Sequence, residues 1–324
     1  MMRFSPYLEL AGRPNVVVDG GGTEGTVLTL SHWPKSGTPA DLKDDLSAQI
    51  AFRYLDRREP APAELVSNDH FDEDGLASVF ALEQPALALA HRDLVIDVAA
   101  AGDFATYRDR RAARIAFVIA RWNDPETSPL PAALFTGPYP QRAAAVYQAL
   151  LPRVPALLTQ LDRFRADFAD EDAHLEASER ALREGAFTIE ELPALDLAIV
   201  RTTPGVARRA VHRFTQRREA RWHPMAIHNA TRCLRLLLIE GDHYELQFRY
   251  ESWVQYMTRR PLPRVDLEPL AAALCDSEGT RWSCDPVSAL TPRLSGTASH
   301  APEAIIATIT QHLASAPPAW DPYD

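Results

Sequence analysis

Three short apolar runs in the first third of the chain each end at or near aspartates, and this pattern limits the fold more than any other. The runs are Asn15–Val18 before Asp19, residues 64–67 before an acidic loop, and residues 93–98, which contain Asp97. Segments with apolar residues at helical spacing alternate with them. Such alternation is typical of parallel sheets, whose ligands bind at the carboxyl ends of the strands. The sequence therefore predicts an α/β fold with a site built from these acids.

Further elements follow from the spacing of apolar residues. Helices are predicted over residues 39–56, 76–83, 112–122, 141–151, 157–183, 208–218, 266–274 and 302–313. Strands are predicted over residues 26–30, 195–200, 225–227, 234–239 and 244–250. The last two strands, joined by Glu240-Gly241-Asp242-His243, alternate as a hairpin should.

The length of the chain indicates two domains. Its 324 residues exceed the size at which a single hydrophobic core usually stops growing. The pattern of elements predicts a parallel-sheet α/β domain with a helical segment over residues 1–185. A smaller α/β domain is predicted over residues 186–324.

The net charge narrows the class of partner. A formal charge of -10 disfavours binding to long duplex nucleic acid, because that affinity comes largely from Lys and Arg. A small anionic substrate needs only a local basic pocket or bound cations. No apolar run is long enough to cross a bilayer and no secretory signal is present, so a cytoplasmic location is expected. The three cysteines have no close pair, which argues against disulfides and thiolate zinc sites.

The acidic loop at residues 69–75 carries the pattern with the most chemical content. Asp72 and Asp74 lie two residues apart and precede Gly75 and a predicted helix. Carboxylates at this spacing suit Mg²⁺ or Mn²⁺, and His70 favours Mn²⁺. The alternative is that both aspartates cap the helix and complement its dipole.

The segment 70–78, His-Phe-Asp-Glu-Asp-Gly-Leu-Ala-Ser, resembles the first motif of the DHH phosphoesterase superfamily. In that superfamily the aspartates of this loop bind a pair of Mn²⁺ ions. Asp19 resembles the aspartate of the second motif, and His32, in Leu-Ser-His-Trp-Pro, resembles the position of the histidine triplet. Both precede the acidic loop, so the resemblance implies a circularly permuted motif order. The Asp-His-His triplet itself does not occur in the sequence.

Residues 246–249 and 265–271 resemble the small substrate-binding domain of the same superfamily. There, a strand with an arginine precedes a helix and a glycine-rich loop that carries histidine. Residues 278–282 occupy the corresponding place without a glycine triplet or a histidine. The resemblance implies that arginines of this half clamp the phosphates of the substrate, namely Arg249, Arg259, Arg260 and Arg281. The whole chain also resembles an uncharacterised bacterial family known only as a domain of unknown function.

Together these resemblances imply a metal-dependent phosphoesterase that hydrolyses a small phosphorylated substrate or a short oligonucleotide between the two domains. The cofactor would be one or two Mn²⁺ or Mg²⁺ ions. The predicted metal ligands are Asp19, Asp72, Asp74 and Asp97, and the predicted catalytic residues are His32 and His70. The alternative is a degenerate relative that binds a nucleotide or a protein partner without hydrolysis.

Two of these residues also have simpler interpretations. His32, beside Trp33, is compatible with a histidine packed in the core. Asp97 is compatible with an ordinary acid at the end of a strand. Convergence of Asp19, His32 and the aspartates of the acidic loop would favour the metal site over both.

Overall fold

The computed structural model describes residues 2–57, 61–202, 205–213 and 216–324, without the side chains of residues 213 and 216. The chain divides into two compact units. Unit 1 comprises Met1–Glu176 and Arg208–Met225, and unit 2 comprises Ala177–Ala207 and Ala226–Asp324. The boundary predicted after residue 185 concerns domains that fold independently, and it stays a prediction.

The elements are numbered along the chain. The strands are β1 Arg3–Phe4, β2 Asn15–Val18, β3 Thr26–Leu30, β4 Leu65–Ser67, β5 Phe187–Leu192, β6 Leu197–Thr202, β7 Arg209–Arg213, β8 Gln216–Ala220, β9 Arg235–Glu240, β10 His243–Phe248, β11 Arg264–Val265, β12 Trp282–Cys284, β13 Arg293–Thr297 and β14 Pro318–Trp320. The α-helices are α1 Ser47–Leu55, α2 Glu73–Glu83, α3 Pro85–Ala90, α4 Arg92–Asp103, α5 Arg110–Asn123, α6 Tyr139–Leu150, α7 Val154–Thr159, α8 Arg165–Arg183, α9 Pro224–Ala230, α10 Glu268–Glu278 and α11 Pro302–Ser315. Within the described ranges, none of these helices is both long and apolar enough to cross a membrane.

The core of unit 1 is a parallel sheet with the strand order β1-β4-β2-β3. Strand β2 lies between β3 and β4, and its three valines, Val16–Val18, are fully buried. A strand that is apolar along its whole length suits the centre of a sheet covered on both faces. The α/β fold class expected from the sequence is confirmed.

Helix α2 follows β4 directly and is buried along almost its whole length. It packs against α1 and α4, and α4 packs in turn against α5. A helix that is apolar on every side must lie inside a protein, so α2 forms the middle of the helical layer. Its first turn is thereby fixed next to the carboxyl ends of β2 and β4.

The predicted strand over residues 93–98 is wrong, because these residues belong to helix α4. The apolar run continues into Ala99 and Ala101, and alanine has the highest helix propensity. The buried side chains Leu94, Val95 and Val98 follow a helical spacing and form one face of α4. A short apolar run cannot be assigned to strand or helix by its composition alone.

The predicted helix over residues 39–56 is too long at its start, since α1 begins at Ser47. The backbone N–H groups of Ser47 and Ala48 donate to the carboxylate of Asp74, at 2.8 and 2.7 Å. The start of α1 is therefore set by an acid that lies far away in the sequence. The spacing of apolar residues within one segment carries no sign of such a contact.

Two further predictions of secondary structure are wrong around the segment Arg208–Met225, where the chain returns to unit 1. The described residues of the predicted helix 208–218 form the antiparallel hairpin β7–β8, in which Val211 is buried opposite Arg218. The predicted strand 225–227 lies in helix α9, whose first residue is Pro224. Proline is favoured in the first turn of a helix, and this signal outweighs the short apolar run.

Unit 2 contains a six-stranded mixed sheet with the order β12-β13-β10-β9-β6-β5. The hairpin β9–β10 was predicted from alternation and is confirmed, with Tyr244 paired to Ile239. Strand β6 lies parallel to β9, and the other neighbours are antiparallel. Side chains of α10 and α11, including Leu274 and Ile309, pack with the sheet in one hydrophobic core.

Strand β7 is held to the rest of unit 1 by His212. Its backbone N–H donates to one carboxylate oxygen of Glu171 at 2.9 Å, and its Nδ1 lies 2.8 Å from the other. Its Nε2 lies 3.3 Å from Oδ2 of Asp124, at the end of α5. Burial lowers the pKa of His212, but the two carboxylates outweigh burial and raise it overall. Although burial opposes it, hydrogen bonds from His212 and His223 lower the pKa of Glu171 to about 2.

We expect His212→Gln to weaken the attachment of β7 by about 1–3 kcal/mol below about pH 6.5, where the imidazolium pairs with both acids. A pKa raised by folding stabilises the protein fully below the pKa of the unfolded chain. This stabilisation is lost as the pH rises through the pKa of the folded state. Hydrogen exchange of the β7 amides in wild type and variant, compared at about pH 6 and about pH 9, measures the difference.

The matched control is His300→Gln, which breaks the pair between the largely exposed ring of His300 and Glu278 in unit 2. This pair belongs to unit 2, whereas β7 belongs to unit 1, so its loss should leave the exchange of the β7 amides nearly unchanged. Equal protection of β7 in wild type and His212→Gln at the lower pH would contradict the prediction.

Candidate metal centre

The carboxyl ends of three parallel strands bring the candidate site together in unit 1. Asp19 follows β2, His32 follows β3 by two residues, and the acidic loop follows β4. Because neighbouring parallel strands end at the same edge of the sheet, these residues meet there. The expectation of a site at this edge came from the same argument, although one of the predicted strands proved to be a helix.

Asp19 lies at the centre of the site. Its backbone has a φ of 48°, in the left-handed region that few residues other than glycine occupy. Its side chain is buried, and Oδ1 accepts a hydrogen bond from the hydroxyl of Ser47 at 2.7 Å. Nε2 of His32 lies 3.4 Å from Oδ1, and Nε2 of His70 lies 3.3 Å from Oδ2. A left-handed backbone conformation, which aspartate adopts more readily than most residues, thus places one carboxylate between two imidazoles.

The ring of His32 is fully buried, and its orientation is set by the backbone. Nδ1 lies 2.6 Å from the carbonyl oxygen of Asp45, so Nδ1 carries the hydrogen and donates it. Burial lowers the pKa of His32 to about 4, which leaves the ring neutral at neutral pH. The lone pair of Nε2 therefore faces carboxylate oxygens of Asp19, Asp74 and Asp103, at 3.4, 3.8 and 3.5 Å.

The neutral ring of His32 supplies no positive charge to the acids around it. Burial and the charge of Asp72 raise the pKa of Asp19 to about 7. Burial, together with the charges of Asp19 and Asp72, also raises the pKa of Asp74 well above its usual value. A buried carboxylate is stable only if it is protonated, paired or bound to a metal. The inner part of the site therefore has the charge balance that suits a cation.

His70 and Asp72 form the outer part of the site. Nδ1 of His70 lies 2.8 Å from Oδ1 of Asp69, and Nε2 lies 2.8 Å from Oδ2 of Asp72. Asp72 also caps α2, because its Oδ1 accepts the N–H of Gly75 at 2.8 Å. Burial lowers the pKa of His70, but the surrounding carboxylates outweigh it, so the pKa lies well above its usual value.

Two groups of side chains could each hold a metal ion, and they share Asp19. The outer group is Asp19, His70 and Asp72, and the inner group is Asp19, His32 and Asp74. Within each group the ligand atoms lie within 4.8 Å of one another. Five residues singled out in the sequence are thus brought together. The capping role considered for Asp72 is also real, so capping and metal binding are compatible here.

Asp97 does not belong to either group. It lies on helix α4, and its carboxylate accepts the backbone N–H groups of Arg108 and Asp109 at 2.7 to 3.0 Å. These contacts fix the loop between α4 and α5. The sequence missed a second acid of the same helix, Asp103, as a neighbour of His32. Residues 93–98 had been assigned to a strand, and only the helical assignment places Asp103 at the end of the element.

The four predicted substrate-binding arginines all lie in unit 2. Arg249 is buried and donates to Glu251, Arg259 pairs with Asp196, and Arg260 pairs with Asp321. The side chain of Arg281 is exposed. Their binding to substrate stays a prediction.

The acidic loop is braced from helix α6 through the buried hydroxyl of Tyr147. This hydroxyl accepts a hydrogen bond from Nδ2 of Asn68 at 3.0 Å, and Oδ1 of Asn68 accepts the N–H of His70 at 3.2 Å. Gly75 makes this arrangement possible, because a Cβ at this position would lie 2.2 Å from Nδ2 of Asn68 and 2.5 Å from the hydroxyl of Tyr147. No motif in the sequence points to Asn68 or Tyr147, since both act only through contacts made in the folded chain.

Comparison with known proteins gives one family match. Residues 1–323 match a family of unknown function, DUF6687, which agrees with the expected resemblance of the whole chain to an uncharacterised family. No curated protein and no solved structure matches the chain. The comparisons give no support to the resemblance to the DHH superfamily.

We expect Gly75→Ala to destabilise the protein, although alanine is favoured over glycine in a helix by about 1 kcal/mol. The added methyl group displaces Asn68 or Tyr147 and leaves buried polar atoms without partners, which costs more than the helix gains. Thermal unfolding followed by circular dichroism measures the shift. Gly21→Ala is the control, because a Cβ there approaches only Oδ2 of Asp69, at 3.9 Å. An unfolding temperature at or above that of the wild type would contradict the prediction.

Proposed function

We propose that this chain, which belongs to the family of unknown function DUF6687, is a metal-dependent phosphoesterase acting on a small phosphorylated or nucleotide substrate. One observation carries the proposal: the two carboxylate oxygens of Asp19 face different ligand groups. Oδ1 lies near Nε2 of His32 and Oδ2 near Nε2 of His70. A carboxylate in this position can bridge two divalent cations, the arrangement used by many phosphatases and nucleases.

The side chains of the two groups fit hard divalent cations. Each group offers two carboxylates and one imidazole. Carboxylates suit both Mg²⁺ and Mn²⁺, and the imidazole nitrogen favours Mn²⁺. Both rings are oriented through Nδ1, that of His70 by Asp69 and that of His32 by the carbonyl of Asp45. Contacts of this kind select the tautomer and direct Nε2 toward the ion. We propose that each group holds one ion.

The two groups differ in their access to solvent, and this difference gives the substrate its direction of approach. The side chain of His70 is 20% exposed and that of Asp69 is 29% exposed, whereas the side chain of His32 is completely covered. The substrate would therefore reach the outer group first, and the inner group would be shielded from bulk water. Bound cations would activate a water molecule and stabilise the charge that develops on the phosphoryl oxygens.

A second candidate function is binding without hydrolysis, and the protonation of His70 favours it. The raised pKa of His70 lets an imidazolium pair with the carboxylates of Asp19, Asp69 and Asp72. This positive charge could neutralise the outer group without an ion. Such a protein would bind a nucleotide or a protein partner at the same edge of the sheet. Metal titration followed by an assay of hydrolysis separates the two candidates. For the metal-dependent phosphoesterase, we propose a cytoplasmic location.

We expect isothermal titration of the purified protein to show two Mn²⁺ ions per chain. Asp72→Asn should leave one ion, because it alters the outer group alone, and asparagine preserves the helix cap. Asp19→Asn should abolish both, because both groups share Asp19, and asparagine tolerates its left-handed backbone. Asp170→Asn, on the exposed face of α8, is the control and should bind as the wild type does. Absence of Mn²⁺ binding by the folded wild type would refute the metal centre.

We expect the Mn²⁺-loaded protein to hydrolyse at least one member of a panel of phosphomonoesters, short oligonucleotides and cyclic dinucleotides. Asp69→Asn removes the acid that orients His70 and should lower metal affinity or activity by about 10- to 100-fold. Product release is followed by phosphate detection and by chromatography, with Asp170→Asn as the control. Stoichiometric Mn²⁺ binding with no hydrolysis of any member of the panel would favour the binding protein.

A further inference from the structure

Arg142, in the first turn of helix α6, carries a positive charge that no acidic side chain of the described residues neutralises. Its side chain is half-buried, and among the described residues it forms no ion pair with an acid. Its Nε is covered from solvent and has no hydrogen-bond partner within the same described part of the chain. Most buried polar atoms are hydrogen-bonded, so each exception calls for an explanation.

The position of Arg142 in the helix is also unfavourable. The positive end of the helix dipole lies at the N-terminus, where acidic side chains are stabilising and basic ones are not. In the first turn of α6, no acidic side chain offsets Arg142. Residues that go against such a local preference, here a basic side chain in the first turn of a helix, are found most often at functional sites.

The surroundings of Arg142 connect it with the outer group. Its guanidinium carbon lies 5.6 Å from the centre of the Tyr139 ring. The hydroxyl of Tyr139 accepts the backbone N–H of Phe71 at 3.2 Å, and Phe71 stands between His70 and Asp72 in the chain. Arg142 is thus separated from the acidic loop by one aromatic ring. Tyr139 is 41% exposed, so this part of the surface is open to a ligand.

The negative charges of the candidate metal centre would repel an anionic substrate, so a basic side chain nearby would help to bind it. The side chains of the outer and inner groups are carboxylates and imidazoles, and an anionic substrate is attracted to them only by bound cations or by a basic side chain nearby. A guanidinium is planar, keeps its charge at every working pH and can donate two parallel hydrogen bonds to phosphate oxygens. Stacking on Tyr139 orients the guanidinium before the substrate arrives.

We propose that Arg142, held by Tyr139, binds phosphoryl oxygens of the substrate beside the outer group. The inference rests on the proposed function for the identity of the substrate as a phosphate ester. It adds a basic side chain of unit 1 to the site, whereas the arginines expected from the sequence all lie in unit 2.

The test is the binding of inorganic phosphate to the Mn²⁺-loaded protein, measured by isothermal titration. Arg142→Gln should weaken phosphate binding by about 10-fold or more, because a hydrogen-bonded charge pair is lost. Arg142→Lys should recover only part of the affinity, since lysine cannot donate in the same fork. A Mn²⁺ titration of each variant should give the wild-type stoichiometry, which shows that the fold and the metal ligands are intact.

The matched control is Arg153→Gln. Arg153 also stacks on an aromatic ring, that of Trp122, but it is exposed and donates to the carbonyl of Ala149. Its replacement should leave phosphate binding unchanged. Equal phosphate affinity in wild type and Arg142→Gln, or no phosphate binding by the Mn²⁺-loaded wild type, would overturn the inference.

The outcomes also separate this inference from the proposed function. Phosphate binding that depends on Arg142, without hydrolysis of any ester, would support the anion site and refute the phosphoesterase. Hydrolysis that Arg142→Gln leaves unchanged would support the phosphoesterase and refute a role for Arg142.

Discussion

The carboxylate of Asp74 joins the fold of unit 1 to its candidate metal centre. Both oxygens accept N–H groups at the start of α1, from Ser47 and Ala48, while the residue itself lies in the first turn of α2. The same carboxylate faces Nε2 of His32 at 3.8 Å. A buried anion at the start of a helix is stabilised by N–H groups that have no partner within that helix. The acid that would bind the inner ion is therefore also the one that determines where α1 begins, so the site is part of the fold and not an addition to its surface.

The centre combines two electrostatic environments within one cluster. In the outer group, His70 pairs with several carboxylates, and its pKa is raised while that of Asp72 is lowered. In the inner group, the buried ring of His32 is neutral, and the pKa of Asp19 is raised to about 7. The outer group can balance its charge with a proton on the ring, whereas the inner group needs protonated acids or a cation. The inner group therefore has no positively charged side chain of its own apart from the contact of Asp19 with His70.

The sequence predicted the composition of the site better than it predicted the elements that build it. The acidic loop, Asp19 and His32 follow short parallel strands whose apolar runs are readable, and their convergence follows from strand direction alone. Residues 93–98 were misassigned because a buried helix and a buried strand share the same composition over six residues. The start of α1 and the bracing of the loop by Tyr147 depend on partners distant in the chain. Contacts of that kind leave no local pattern, so neither could be predicted from spacing.

A second cluster in unit 1 shows what distinguishes the candidate metal centre from an ordinary buried hydrogen bond between a histidine and a carboxylate. Nδ1 of His223 accepts a backbone N–H, so its Nε2 carries the hydrogen and faces Oε1 of Glu171 at 3.5 Å. There, N–H groups meet a carboxylate, and the pKa of Glu171 falls to about 2. In the inner group the relation is reversed, because Nδ1 of His32 donates to the carbonyl of Asp45 and leaves a lone pair facing Asp19. Within the described residues, only the groups that share Asp19 place enough ligand atoms together for an ion. The same residue types thus form either a hydrogen-bonded cluster or a candidate cation site, according to whether a backbone N–H or a backbone carbonyl holds the other ring nitrogen.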